Sequence, residues 1–118
     1  MASKYKDIRR TPTFIAAFSE LRAHLREKSP VAYLALPSAM ATILDVIEKH
    51  PRAWPVKRKM RGGVQYEFHV AIVDLAYRRI HVRYYVDDDG ICYLLTAWID
   101  GQDEPNYIEV DPDFRTGV

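Results

Sequence analysis

Alternating apolar and polar residues between positions 64 and 99 restrict this chain more than any other pattern in it. Two runs alternate with a period of two residues, which is typical of half-buried β-strands. A third run, 91–99, is apolar at nearly every position and predicts a central strand covered on both faces. We therefore predict a three-stranded meander. The apolar positions of the first two runs are Val64, Tyr66, Phe68, Val70 and Ile72, then Ile80, Val82, Tyr84 and Val86.

Asp89-Gly90 is a strong hairpin signal between the last two runs, and a turn near Asp74 separates the first two. If Asp89 and Gly90 form a two-residue loop, position 88 pairs with position 91. The same register places Tyr85 opposite Leu94, Arg83 opposite Thr96 and His81 opposite Trp98. A shift of one residue would turn each side chain to the other face of the sheet.

The N-terminal half predicts two helices. Thr11-Pro12 is a helix start, and an apolar stripe with a 3.6-residue period follows it. A second helix covers part of 31–50, most clearly from Ser38, and ends at His50-Pro51. Pro37 leaves open whether 31–36 is a separate turn or the first half of this helix. Residues 4–10 and 56–60 could add strands. The fold class predicted is α+β, with two N-terminal helices packed on a small antiparallel sheet.

The composition is that of one globular domain. The chain has 118 residues, 48% of them hydrophobic and 28% charged, which argues against disorder. The single cysteine, Cys92, excludes a disulfide framework and a cysteine-rich metal site. The start, MASKYKDIRR, lacks the apolar core of a secretory signal. The apolar stretch 31–44 is too short to span a membrane. We expect a cytoplasmic protein of one domain, 1–118, with an acidic tail over about 100–118.

Charge is distributed unevenly along the chain. Nine cationic and two acidic residues between positions 49 and 83 give that part +7, whereas one cationic and nine acidic residues give 84–118 a charge of −8. A basic middle indicates an anionic partner. The acidic end could contact a basic protein or serve solubility alone.

The alternation also places five ionisable side chains on one face of the predicted sheet, beside Trp98. A solvated face with cross-strand ion pairs is the ordinary explanation. A ribonuclease site without a metal is the alternative, because such cleavage needs a base, an acid and cations that stabilise the phosphorane. The spacing of the histidines matches no zinc signature. The five residues are Glu67, His69, Arg79, His81 and Arg83.

Each residue type suits one role in such a site. His69 and His81 would be acid and base, because the unperturbed pKa of histidine lies near neutrality, and Glu67 would be a base or orient a histidine. Arg79 and Arg83 would hold phosphate. Trp98 or Tyr85 could stack on a base, and the basic connector, residues 51–63, could follow the RNA backbone. The connector's candidate residues are Lys57, Lys59 and Arg61.

The order of these elements, with three stretches of sequence, resembles the RelE/ParE toxin superfamily, and within it the RelE and HigB-like, phage-derived branch. The stretches are ILDVIEKHP, KMRGGVQYEFHV and RRIHVRYYVDDDGICYLLTAW, and the resemblance covers about 5–110. It implies a compact α+β fold similar to microbial ribonucleases. It also implies a toxin of a toxin–antitoxin pair that needs no cofactor and is neutralised by a cognate antitoxin.

Members of the superfamily differ in target: RelE-like and HigB-like members cleave mRNA, usually on the ribosome, while ParE-like members poison DNA gyrase. The resemblance places His69 and His81 at positions where cleaving members carry cationic residues, and Tyr107 at a late tyrosine of some members. The basic residue that usually follows the last strand is replaced by an acidic segment, 100–104. The leading hypothesis is a metal-independent endoribonuclease toxin. The alternative is a non-enzymatic binding protein on the same fold, which could be a phage-encoded inhibitor of gyrase or another protein.

Overall fold

Two helices and five strands form the part of the chain described by the computed structural model, residues 7–61 and 63–102. The α+β class predicted from sequence is confirmed. In chain order the elements are β1 (Ile8–Arg10), α1 (Pro12–Lys28), α2 (Pro30–Lys49), β2 (Val56–Arg61), β3 (Val64–Leu75), β4 (Arg78–Val86) and β5 (Cys92–Ile99).

The sheet is mixed rather than antiparallel throughout, which corrects the prediction. Its strand order is β1-β5-β4-β3-β2, and β1 runs parallel to β5 while the other neighbours are antiparallel. The helical connection between β1 and the meander allows this parallel pairing, since parallel strands need a long crossover. β5 lies between β1 and β4 and is buried at seven of its eight positions, as its continuous apolar run predicts.

Thr11 joins α1 to the sheet. Its hydroxyl accepts a hydrogen bond from the Phe14 N–H at 3.1 Å, which caps the helix, and donates one to the Leu94 carbonyl at 2.7 Å. α2 continues through Pro37, so 31–36 is the first half of the helix and not a separate turn. Pro37 lies on the exposed side of α2, away from the core.

Both helices pack on one face of the sheet, which we call the helix face. α2 is long and apolar enough to cross a membrane by length and composition alone. Helices of this composition also pack inside protein cores. Six residues of α2 are buried in the core between the helices and the sheet. They are Ala32, Leu36, Ala39, Met40, Ile43 and Ile47.

A two-residue turn decides which side chains share a face of the sheet. β3 extends to Leu75, which pairs with Arg78, so the turn consists of Ala76 and Tyr77 rather than lying near Asp74. Both turn residues have positive φ, +36° and +70°. Because of this two-residue turn, each even-numbered residue of β3 pairs with an odd-numbered residue of β4. Paired residues lie on the same face of the sheet, so even-numbered side chains of β3 share a face with odd-numbered side chains of β4.

The β4–β5 hairpin has a longer loop than Asp89-Gly90 alone. The Asp87 N–H donates to the Ile91 carbonyl, and Val86 pairs with Cys92. Tyr85 lies opposite Tyr93, so the prediction of Leu94 was wrong, as was the pairing of 88 with 91. A register shift after Arg83 compensates for the longer loop. The pairs Arg83–Thr96 and His81–Trp98 are consequently confirmed.

Candidate nucleic-acid interface

The sheet face directed away from the helices, which we call the outer face, carries a contiguous group of charged and aromatic side chains. Asp100, directly after β5, joins two of these side chains at one end of the group. The Asp100 carboxylate accepts hydrogen bonds from Arg79 Nε at 3.1 Å and from His81 Nε2 at 2.8 Å. These bonds, that from His81 first, lower the pKa of Asp100. Because an ionised carboxylate only accepts, His81 donates from Nε2, and its Nδ1 can accept a proton when the ring is neutral.

Aromatic rings extend this group along the outer face. The His81 ring stacks on Trp98 with centroids 5.1 Å apart and planes 10° apart. The guanidinium of Arg83 lies 5.5 Å from the Trp98 ring centroid and 4.7 Å from that of Phe68. Cation–π attraction contributes most when the cation is desolvated, and Arg83 is only 1% exposed. We call these six residues the outer-face cluster: Arg79, Asp100, His81, Trp98, Arg83 and Phe68.

Glu67 and His69 do not belong to this cluster, contrary to the prediction that they share a face with His81 and Arg83. His69 pairs with Tyr84, whereas His81 pairs with Ile72. The turn at Ala76-Tyr77 therefore directs His69 to the helix face and His81 to the outer face. The two histidines cannot meet at one scissile phosphate across the sheet. Glu67 instead accepts a hydrogen bond from Arg58 Nε at 2.9 Å.

His69 holds the connector between α2 and β2. It is 8% exposed, and its Nδ1 donates to the Trp54 carbonyl at 2.6 Å. Its ring stacks on Tyr84, which in turn makes an edge contact with Trp54. The Tyr84 hydroxyl donates to the Pro51 carbonyl at 2.6 Å, and burial raises its pKa. These contacts give His69 a structural role that the alternating pattern did not predict.

Part of the basic connector is a strand, as predicted, and this strand, β2, lies at the edge of the sheet. Lys57 is exposed and lies opposite Phe68, so it belongs to the outer face. Lys59 and Arg61 occupy β2 positions opposite Tyr66 and Val64. Tyr85 pairs with Tyr93 and is half-buried.

Tyr107 and most of the acidic tail lie outside the described residues. Cys92 is 1% exposed and belongs to the core, and burial raises its pKa to about 11.

Asp100 was not predicted as a site residue, because the sequence analysis treated it only as part of the acidic segment 100–104. A signal was present: the predicted register that pairs His81 with Trp98 also brings position 100 opposite Arg79. Phe68 was not predicted either, because the alternation placed it with the apolar side chains of β3, on the face opposite His81. The two-residue β3–β4 turn places Phe68 on the same face of the sheet as His81, and no sequence signal gives the length of that turn.

The helix side of the molecule carries an apolar groove. It comprises two adjacent cavities of about 340 and 290 Å³ that share Phe18, Arg22 and Met40 in their walls. Exposed apolar side chains lie on the same helices: Ile15 is 55%, Val31 61% and Leu34 77% exposed. Large exposed apolar side chains that lie together indicate a contact surface for another molecule.

Comparison with protein-family models, with curated proteins and with solved structures found no match. Within residues 7–61 and 63–102, no group of three or more histidine, cysteine, aspartate or glutamate side chains is arranged to hold a metal ion.

Proposed function

We propose that this protein is a cytoplasmic toxin of the RelE/ParE type that binds RNA on the outer face of its sheet and cleaves it without a metal. The observation that carries the proposal is the outer-face cluster, in which two arginines, a histidine and an indole lie side by side. Arginine binds phosphate, and aromatic rings stack on unpaired bases.

One histidine would transfer the proton in this site. His81, held by Asp100, would accept the proton of the 2′-hydroxyl at Nδ1. Arg79, which is exposed, would stabilise the phosphorane, whereas Arg83, buried against Phe68 and Trp98, would hold the indole in place. The leaving 5′-oxygen would take its proton from water. Because His69 lies on the other face, we expect the rate to lack the contribution of a general acid, about 10²–10⁴-fold.

Cleavage of a model RNA in the presence of a chelator tests this function. His81→Gln keeps hydrogen bonding but cannot transfer a proton at neutral pH, so it should reduce the rate by about 10²–10⁴-fold. His24→Gln, on the exposed side of α1, is the matched control. Unchanged cleavage by the His81 variant would exclude His81 from the chemistry.

Phosphate binding has its own matched pair of variants. Arg79 and Arg78 are neighbours on β4 and both are exposed, but they point to opposite faces of the sheet. Arg79→Gln should weaken RNA binding, whereas Arg78→Gln should leave it nearly unchanged. Equal effects of the two substitutions would show that charge alone, and not the outer face, attracts RNA.

The groove between α1 and α2 favours a second candidate function, that of a non-enzymatic binding protein. An apolar surface with arginines at its edge fits an amphipathic segment that carries acidic residues, which is how a cognate antitoxin or a protein target such as gyrase would dock. Folded protein that arrests growth without cleaving free RNA or mRNA on translating ribosomes would support this second function over the first.

A further inference from the structure

The turn between β3 and β4 has a backbone conformation that its sequence does not favour. Ala76 and Tyr77 have φ of +36° and +70°. Residues with a Cβ atom are disfavoured in this region, and two-residue turns with positive φ at both positions usually contain asparagine or glycine. Residues held in unfavourable backbone conformations are concentrated at functional sites. The turn is therefore a candidate functional element.

Packing does not explain why a tyrosine occupies this turn. Tyr77 is fully exposed, so its ring adds no buried surface to the fold. Among the large apolar side chains that are exposed in residues 7–61 and 63–102, Tyr77 is the aromatic one. An aromatic ring in solvent can stack on the flat face of an unpaired nucleobase. The ring is therefore available to a ligand at no cost to the core.

The rings of the outer-face cluster are less accessible to a base. Trp98 is 7% and Phe68 2% exposed, and Tyr85 is half-buried. A ring that stacks on a base must offer it an open face. The proposed function needs an aromatic platform for RNA, and Tyr77 meets this need better than Trp98 or Tyr85, the two residues predicted from sequence.

Tyr77 also lies near the arginine that would hold phosphate. Arg79 follows it by two residues, about 7 Å along the strand, and its side chain is 56% exposed. Asp100 accepts hydrogen bonds from Arg79 and His81, so tyrosine, arginine and histidine follow one another at alternate positions of the chain. An RNA strand whose scissile phosphate lies at Arg79 can therefore place a flanking base at Tyr77.

We propose that a base flanking the scissile phosphate stacks on Tyr77, and that the strained β3–β4 turn presents this ring to the RNA. The inference rests on the proposed function, because it states how that site would hold its substrate. Stacking needs an unpaired base and tolerates any of the four. The site would therefore take single-stranded RNA rather than a duplex, with a purine favoured at this one position because of its larger ring system.

Removal of the ring from the full-length protein tests the contact. Tyr77→Ala should weaken the binding of a short single-stranded RNA by roughly 5–150-fold, the range found when an aromatic residue that stacks on a base is replaced by alanine. Tyr77→Phe keeps the ring and should bind nearly as the wild type does. His24→Ala removes an exposed ring from α1 and is the matched control. Urea denaturation should show that all three variants are folded, because both residues are exposed.

An abasic nucleotide at successive positions of the RNA identifies the stacked base. At one position, loss of the base should weaken binding to the wild type without weakening it further for Tyr77→Ala, because both changes remove the same contact. A weakened Tyr77→Ala complex without this coupling at any position would overturn the stacking.

Replacement of Ala76-Tyr77 by Asn-Gly separates function from stability. This variant loses the ring and also relieves the backbone, so it should bind RNA as weakly as Tyr77→Ala while its fold becomes more stable. A variant that bound RNA as tightly as the wild type would show that the turn is not maintained for its ring.

The remaining outcomes distinguish this inference from the proposed function. Wild-type protein that binds RNA, with Tyr77→Ala equal to the His24→Ala control, would overturn the role of Tyr77 and leave the proposed function standing. Wild-type protein that binds no single-stranded RNA at low salt would reject both. A Tyr77→Ala variant that binds RNA normally but no longer arrests growth would assign the ring to a protein contact and overturn the stacking.

Discussion

The role of His69 depends on the number of residues in the β3–β4 turn, because that number decides which face of the sheet its ring occupies. Its ring is buried against Tyr84, and its Nδ1 donates to the Trp54 carbonyl. His69→Ala removes a buried hydrogen bond and the packing of a buried ring, and both losses destabilise a fold. The substitution should therefore lower the free energy of unfolding by about 1–3 kcal/mol. Urea denaturation measures the change.

His24→Ala, on the exposed side of α1, should stay within about 0.5 kcal/mol of the wild type. If His69→Ala left stability intact and abolished RNA cleavage, His69 would be catalytic and its structural role would be rejected.

Asp100 gives the fold a pH dependence of known sign. The His81 and Arg79 hydrogen bonds lower its pKa in the folded state. A group with a lowered folded pKa stabilises the protein fully above its unfolded pKa, and this stabilisation disappears as pH falls through the folded value.

Asp100→Asn removes that contribution. The difference in unfolding free energy between wild type and variant should therefore be constant at neutral pH and shrink in acid, measured by denaturation at successive pH values. Asp88→Asn, at an exposed turn position, provides the comparison. A wild-type advantage over the Asp100 variant that persisted or grew below the unfolded pKa of Asp100 would contradict this assignment.

At the scale of elements, the β3–β4 hairpin holds backbone strain. Ala76 and Tyr77 have φ of +36° and +70°, and Tyr77 is fully exposed. Non-glycine residues in this region cost about 1–2 kcal/mol each. Replacing the pair with Asn-Gly, the sequence preferred for two-residue turns, should raise the free energy of unfolding by about 1–2 kcal/mol. Thermal or urea unfolding measures it.

Gly90→Ala provides the opposite case. Gly90 has φ of +84° and open space around the position of a Cβ atom, so only the backbone conformation resists alanine. We expect a loss of about 1 kcal/mol. A stabilised Gly90 variant, or a destabilised Asn-Gly variant, would mean that the hairpin turns have other conformations in solution.

At the scale of the whole molecule, charge is separated between the basic middle and the acidic end of the chain. If the outer face binds RNA, log affinity should fall linearly with log salt, by about 0.7 for each phosphate contact in single strands. Replacing Lys57, Lys59 and Arg61 with alanine should flatten this slope by up to about 2.

Arg58→Ala is the control for this slope, because Arg58 is paired with Glu67 on the other side of the same strand. Binding of the wild type that did not vary with salt would favour the protein-binding function. So would a slope unchanged in the triple variant.

The sequence by itself determined the elements and the β4–β5 alignment at the site. Period-two alternation, the Thr11-Pro12 start and the apolar run 91–99 each have one local physical cause. α1 and the interior β5 therefore lie where they were predicted, and β3 begins where it was predicted but continues to Leu75. The His81–Trp98 pair was predicted correctly although the loop was not, because a register shift after Arg83 compensated for the longer loop.

Only the tertiary structure decided which side chains meet. A local pattern shows that side chains alternate along a strand, but it does not show which set faces the core. For β3 relative to β4, this depends on the number of residues in the connecting turn, Ala76-Tyr77, which carries no glycine or asparagine signal. That number separated His69 from His81 and brought Phe68 under Arg83. Likewise, the parallel pairing of β1 with β5 links residues more than 80 positions apart, which no local pattern reports.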